Sequence, residues 1–188
     1  MPRLSFVAVL DACVLYPFQL RNLLIQCAFD RLLDARWSDR IHDEWIRNLS
    51  ANTPGLSIDR LRSTRDKMKA VLPEADVVGY ESLINQLTLK DPDDRHVLAV
   101  AIKANARLIV TWNMRDFPTR VLQPFGIEAK SPDVFLMEVY SAYPRHFMAS
   151  LTQARLNLRK TKPSPEEFAA SLERQGLANV SKLALQHR

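Results

Sequence analysis

An aspartate stands where an apolar strand should continue. Leu4 to Leu10 are mostly apolar and run straight into Asp11, and the residues after it, ACVLYPF, are mostly apolar too. A buried carboxylate without a partner is costly, so Asp11 must be protonated, paired or bound to a cation. Three more acids fall at comparable places. Glu44 lies in the first turns of an expected helix, Asp94 opens another, and Asp116 lies four residues past Trp112, the last residue of a second apolar strand, RLIVTW. Thr111 and Asn113 stand nearer that strand's end. Each acid also has an ordinary reading: a helix cap for Asp94 (as for Asp91 and Asp93), an Asx turn for Asp116, a solvent-facing helix residue for Glu44. Taken together they can converge on one edge of a sheet. Clustered carboxylates repel one another and raise each other's pKa. A hard divalent cation, Mg²⁺ or Mn²⁺, relieves that repulsion, prefers oxygen ligands and is commonly held by a few carboxylates plus a substrate phosphate. Such a cation acidifies water and stabilises charge on a leaving oxygen, which is the chemistry of phosphodiester hydrolysis.

The elements that must position these acids read as α/β. SFVAVL is apolar on both faces, as a fully covered parallel strand is. A helix follows with Leu20, Leu23, Leu24, Cys27, Ala28 and Leu32 at helical spacing, and Pro17 suits its first turn. ARWS is a short strand candidate. Ser38 or Asp39 caps the helix DRIHDEWIRNLSA, with Ile41, Trp45, Ile46 and Leu49 inward. TPG at 53–55 breaks the chain before a helix from about Ile58 to Leu72, with Leu61, Met68, Val71 and Leu72 inward. ADVVGY is a further strand candidate, ESLINQL a short helix, and LKDPDD an acidic turn. RHVLAVAIKANA is a helix, RLIVTW a strand, IEAKS a last short strand, and SPDVFLMEVYSAY a helix with Ser131 as cap and Pro132 at its first position. This βα alternation predicts a parallel sheet flanked by helices. In such sheets, active sites lie beyond the C-terminal ends of the strands, where Asp11 falls.

Beyond Pro144 the texture changes. RHFMASLTQARLNLRK reads as one amphipathic helix, and KPSPEEF starts another that ends near Gly176. The expected division is therefore an α/β domain over 1–143 and a small helical extension over 144–188. Charge divides the same way. Residues 1–144 hold 18 Lys/Arg and 18 Asp/Glu, so the net +5 lies wholly in residues 145–188, with 8 basic and 3 acidic side chains. A basic terminal region suits a polyanion such as nucleic acid, although it is also how a solvated helical face reads.

Other chemistries lack their residues. With 47% hydrophobic and 25% charged residues, the chain has the makings of a core and not of wholesale disorder. Cys13 and Cys27 form no CxxC or zinc pattern and read as reduced packing residues. No apolar run approaches membrane length, and the expected compartment is the cytoplasm. The first βα turn, DACVLYP, has no glycine to admit a phosphate, and 4 Gly in the whole chain leave no P-loop. An aspartate-nucleophile phosphatase needs a second acid where Cys13 stands. His42 and His96 flank the acids but form no HxxxH or HExxH pattern, which disfavours a His-based transition-metal site. His96 reads as packing or bonding near its helix start. Arg60, Arg62, Arg65, Lys67 and Lys69 read as a solvated face, and Trp45 and Trp112 as core or pocket wall.

The assembled pieces resemble the PIN-domain family, in particular its VapC-type toxin ribonucleases. The resemblance rests on VLDACVLYP, HDEWIRNL, DPDDRHVLAVAI and LIVTWNMRDFP, in that order over about residues 6–130. It implies a Rossmann-like PIN fold, an acidic pocket binding Mg²⁺ or Mn²⁺, and metal-dependent cleavage of single-stranded RNA such as a tRNA or rRNA loop. It also implies a small antitoxin partner and a homodimer. Carried over, Asp11, Glu44, Asp94 and Asp116 are the catalytic, metal-holding acids. Thr111 and Asn113 line the pocket and orient Asp11 or a water. Asp93 rivals Asp94, but Asp94 directly precedes Arg95 and His96, as the motif has it. The long C-terminal tail resembles a subgroup of these toxins with a helical extension, in which Arg155, Arg159, Lys160 and Lys162 are expected to help hold RNA. The alternative reading is a catalytically weak PIN-like RNA-binding or regulatory protein.

Overall fold

The computed structural model describes residues 6–186. Its centre is a four-stranded, all-parallel sheet in the order β2-β1-β3-β4, formed by β1 (Val7–Leu10), β2 (Asp34–Arg36), β3 (Leu108–Val110) and β4 (Glu128–Lys130). The first part of the expected β1, Leu4 and Ser5, lies outside the described residues. Ala8, Val9 and Leu10 are fully buried, which is why this segment lacks the alternation of a half-exposed strand.

Helices cover both faces. α1 (Ala12–Leu15) and α2 (Phe18–Phe29) leave β1 in quick succession; α3 (Asp39–Asn52) and α4 (Ile58–Val71) follow β2. Ser38 caps α3 through Ile41 N–H at 3.3 Å, and Ser57 caps α4 through Arg60 N–H at 3.2 Å. The corner between α1 and α2 is closed by buried Arg21, which donates to the Leu15 carbonyl and lies 4.7 Å from the Trp45 ring centroid. That contact ties the corner to α3, the helix that carries Glu44. After α5 (Glu81–Ile84), a 3-10 turn over Pro92–Asp94 leads into α6 (Arg95–Lys103), which feeds β3. The chain then runs through α7 (Thr119–Leu122) and β4 to α8 (Pro132–Ala142).

The C-terminal part holds α9 (Pro144–Leu156), α10 (Pro165–Arg174) and α11 (Ala178–Gln186). Ser164 and Glu167 form a reciprocal capping box at the start of α10. These helices pack back on the α/β part: α9 on α2, and α11 on α8. The first contact mixes apolar burial of Phe147, Leu151 and Ala154 with polar bonds: Asn22 Nδ2 to the Ala154 carbonyl at 2.7 Å and Ser150 Oγ to Asp30 Oδ2 at 2.6 Å.

Two local expectations need correction. ADVVGY forms no strand. It makes one parallel bridge, Trp37 to Asp76, after the 3-10 turn Pro73–Ala75, and Gly79, with φ +72°, is in the left-handed region, outside strand geometry. Val71, expected inward, is exposed at the last turn of α4. The helix begun at KPSPEEF ends at Arg174, close to Gly176 as expected, and a further helix, α11, follows it, burying Val180, Leu183 and Ala184.

Candidate active site

The register of the sheet brings the first acid and its hydroxyl partner together. Leu10 pairs with Val110, and Asp11 N–H continues the ladder to the Val110 carbonyl at 3.1 Å, so Asp11 and Thr111 emerge side by side from β1 and β3. Asp11 is 3% exposed. Its Oδ1 accepts Ala12 N–H at 2.7 Å, capping α1, while Oδ2 accepts Thr111 Oγ1–H at 2.7 Å and the Cys13 thiol at 3.2 Å. Thr111 Oγ1 in turn accepts Asn113 N–H at 2.9 Å. Asn113 therefore enters this network through its backbone.

Asp94 lies at the junction of the 3-10 turn and α6, and its surroundings report the other acids. Its carboxyl is pushed up to about 7, first by burial and then by the charges of Asp11, Asp91, Asp116 and Glu44. Burial also raises Asp11, and the Glu44 charge adds to this, against the Thr111, Cys13 and Ala12 hydrogen bonds that favour its ionised form. Asp11, Glu44, Asp94 and Asp116 thus share one electrostatic neighbourhood. Asp91, which reads from sequence as no more than a cap, belongs to it too; it accepts Asp93 N–H at 2.9 Å and holds the turn. Asp93 points away, with its side chain 95% exposed and 4.0 Å from Arg40.

Two residues gain roles that their sequence positions did not reveal. Cys13, read as packing, is a hydrogen-bond donor to Asp11, accepts Trp112 N–H at 3.3 Å, and has its thiol pushed up to about 12 by burial and the Asp11 charge. His96 is buried with Nε2 at 3.3 Å from Glu44 Oε2, so an Nε2–H can hold that carboxylate. A period-3.6 pattern marks His96 as core-facing but says nothing of a partner 52 positions away in sequence. His42 is different: its Nδ1 accepts Trp45 Nε1–H at 3.0 Å, and burial pushes it down to about 3, so it is a neutral core imidazole.

Among the described residues, no three His, Cys, Asp or Glu side chains are spaced to hold a metal ion as they stand. The donor set nevertheless fits a hard, hydrated cation. It is all oxygen; burial and the Glu44 charge oppose ionisation of Asp11, and burial and the charges of Asp11, Asp91, Asp116 and Glu44 oppose ionisation of Asp94. Mg²⁺ needs only one or two direct carboxylates and keeps several waters, so it does not demand a preformed cage.

The basic quartet lies elsewhere. Arg155 donates to the Pro163 carbonyl at 3.0 Å and so closes the loop after α9, while Arg159, Lys160 and Lys162 are exposed. Neighbouring Asn157 bonds Gln26, eight residues along α2 from Phe18, so this loop sits roughly 12 Å along the helix from the end nearest Asp11. Three of the basic side chains on α4 are paired with acids: Arg62 with Asp59, Arg65 with Asp43 and Asp66, Lys69 with Asp39 and Asp76.

Comparison with known proteins agrees with this architecture. A PIN domain model matches residues 7–115, and a VapC50 C-terminal domain model matches residues 132–186, beginning at α8. The chain is 40% identical over 72 residues to a Mycobacterium tuberculosis (strain ATCC 25618 / H37Rv) protein carrying the name "Putative ribonuclease VapC50". That match covers 38% of this chain and 42% of the relative, less than half the length of either. No solved structure matches the chain. Among the described residues, no helix is long and apolar enough to cross a membrane. The PIN domain match alone covers more than half of the sequence and contains Asp11, Glu44, Asp94 and Thr111, with β1, β3 and the helices α3 and α6 that position them, so this chain belongs to the PIN-domain family.

Proposed function

We propose that the chain is a divalent-metal-dependent endoribonuclease, the toxin of a VapC-type toxin–antitoxin pair. The observation that carries this reading is the convergence of Asp11, Glu44, Asp91 and Asp116 on Asp94, in a chain of the PIN-domain family. Asp11, Glu44, Asp94 and Asp116 would hold Mg²⁺ or Mn²⁺, directly or through water. When bound, the cation supplies an acidified water and neutralises charge at the scissile phosphodiester. The chain's own residues do the positioning. Thr111 and Cys13 fix the Asp11 rotamer, Asn113 N–H fixes the Thr111 hydroxyl, and His96 holds Glu44.

Single-stranded RNA is the proposed substrate class. Arg159, Lys160 and Lys162 would steer its backbone, while Arg155 shapes their loop. Family membership also supports a small antitoxin partner, a homodimeric assembly and a cytoplasmic setting.

The test is cleavage of total cellular RNA by purified protein with Mg²⁺ or Mn²⁺, beside Asp11→Asn. Discrete fragments that require the cation and vanish in the variant are expected. Equal cleavage by both proteins would mean a contaminant and remove the site assignment. No cleavage by either, with RNA binding retained, would favour the weak RNA-binding reading. Neutralising Arg159, Lys160 and Lys162 is expected to weaken RNA binding and flatten its salt dependence.

A further inference from the structure

α2 begins without a cap of its own. Its N-cap residue is Pro17, which offers no side-chain acceptor, so the first-turn N–H groups need partners from elsewhere. Gln175, at the end of α10, supplies one: its Oε1 accepts Leu20 N–H at 3.0 Å, and its Nε2 donates to Gln19 Oε1. A residue 155 positions away thus caps the helix that follows Asp11 and α1.

The next residue, Gly176, lies against the other flank of the site. Its φ is +85°, and a Cβ placed there would meet Trp112 Cη2 at 3.0 Å, Cζ2 at 3.4 Å and Cζ3 at 3.5 Å. The backbone of the turn therefore lies on the indole, with no room for a side chain. Trp112 is the residue after Thr111, and its N–H donates to Cys13 Sγ at 3.3 Å, while Cys13 bonds Asp11 at 3.2 Å. One two-residue turn touches both the α1–α2 side and the β3 side of Asp11.

We propose that the Gln175–Gly176 turn is a positioning element of the acid site, so that the C-terminal helices are part of its frame and not an appendage. The turn acts through Trp112 and Cys13 on one side and through the start of α2 on the other. The first path ends at the Asp11 carboxylate; the second ends at α2, which packs on α1, the helix that this carboxylate caps. This rests on the reading of Asp11 as a cation-holding nuclease residue, but the framing of Asp11 can be measured without activity.

The experiment uses the full chain. Asn tolerates a left-handed backbone, so Gly176→Asn keeps the turn's conformation while pushing a side chain into Trp112. Trp112→Phe shortens the ring and gives that side chain room. Gln175→Leu removes the cap at similar size. In metal-free protein, alkylation of Cys13 by a neutral thiol reagent reads the strand end directly, because Cys27 is fully buried. Gly176→Asn is expected to speed alkylation and to lower kcat for RNA about tenfold, in the range seen when groups that orient a metal-holding residue are lost, with KM little changed. Adding Trp112→Phe is expected to recover most of both effects. Gln175→Leu is expected to lower kcat by a smaller factor. An unchanged kcat in Gly176→Asn and Gln175→Leu would overturn the proposal, as would a loss that Trp112→Phe does not relieve. If the parent protein cleaves no RNA, the nuclease reading fails. The alkylation rates then decide the framing of Asp11: acceleration reversed by Trp112→Phe supports it, and unchanged rates overturn it.

Discussion

Asp11 and Asp133 are both buried, 3% and 8% exposed, and both accept backbone N–H groups at the start of a helix. They are held in opposite ways. Asp133, at the start of α8, is surrounded by donors from α11: both oxygens face Asn179 N–H at 3.2 Å, Oδ1 accepts Val180 N–H at 3.1 Å and Oδ2 accepts Asn179 Nδ2–H at 2.8 Å. It caps a helix whose start is distant in sequence and staples the C-terminal part to α8. Asp11 receives Ala12 N–H, the Thr111 hydroxyl and a weak thiol donor, while the charge of Glu44 opposes its ionisation and its own charge opposes that of Asp94. A carboxylate whose donors close around it stabilises the fold. One left among other acids costs stability, a cost that the proposed cation would relieve.

The sharpest test of this contrast substitutes the two acids separately. Asp11→Asn is expected to abolish cleavage. The loss should exceed the about 10–100-fold typical of residues that only orient a metal-holding group. In metal-free protein its unfolding midpoint in urea should be equal to wild type or higher, because a repelled buried charge is gone while the Ala12 and Thr111 contacts can persist. Asp133→Ala should do the reverse. It strips the start of α11 of its acceptors and is expected to cost about 2–3 kcal/mol. Thermal denaturation would then fall by roughly 4–12 °C for a chain of this size. A destabilised Asp11→Asn, or an Asp133→Ala as stable as wild type, would erase the distinction.

Next in size is the pair of donors on Asp11. Thr111→Val removes the 2.7 Å bond and also leaves Asn113 N–H without its acceptor. Weakening of Mn²⁺ binding by about 10–100-fold is expected by calorimetry. Cys13→Ala removes only a long thiol bond and should weaken binding by less than about tenfold, because a thiol is a poor donor. If Cys13→Ala proved the more damaging, Asp11 would be held chiefly from the α1 side and not from β3.

Much of the α/β frame was legible because each element carries its own signal. Unbroken apolar sequence marked β1 and β3, and Ser38, Ser131 and Ser164 marked helix starts. The acids could be put on one sheet edge because parallel strands end together. What stayed hidden was pairwise and distant. Nothing local to Asp133 says that its acceptors serve α11, and nothing in the Pro17 turn says that Gln175 supplies the cap. The Cys13 thiol reads as apolar volume until Asp11 and Trp112 are placed around it. ADVVGY misled for a related reason: its β-prone residues meet a strand edge only at Asp76, where the side chain bonds Trp37 Nε1 at 2.7 Å.

Lys69 supplies a third way of holding acids and the smallest expected effect. Its ammonium lies 2.7 Å from Asp39 and 3.1 Å from Asp76 on the outer face of α3 and α4. Burial works against its charge, but the bonds to both acids hold its pKa above the usual lysine value, and the Lys69 bond holds Asp39 below the usual carboxylate range. A depressed carboxyl contributes stability above its unfolded pKa of about 3.9 and loses it as pH falls through the folded value; a raised lysine contributes below about 10.4 and loses it as pH rises through the folded value. The pair should therefore contribute evenly from about pH 4 to about pH 10. Lys69→Met, which keeps most of the aliphatic stem, is expected to cost about 0.2–1 kcal/mol across that window. The difference from wild type should shrink in high salt and vanish at acid pH. Urea midpoints of both proteins at pH 2 and pH 7, with and without added salt, would measure it. A salt-insensitive loss above about 2 kcal/mol would mean that these surface acids depend on their cation as the buried ones do on their donors, and exposure would no longer separate the two kinds of pairing.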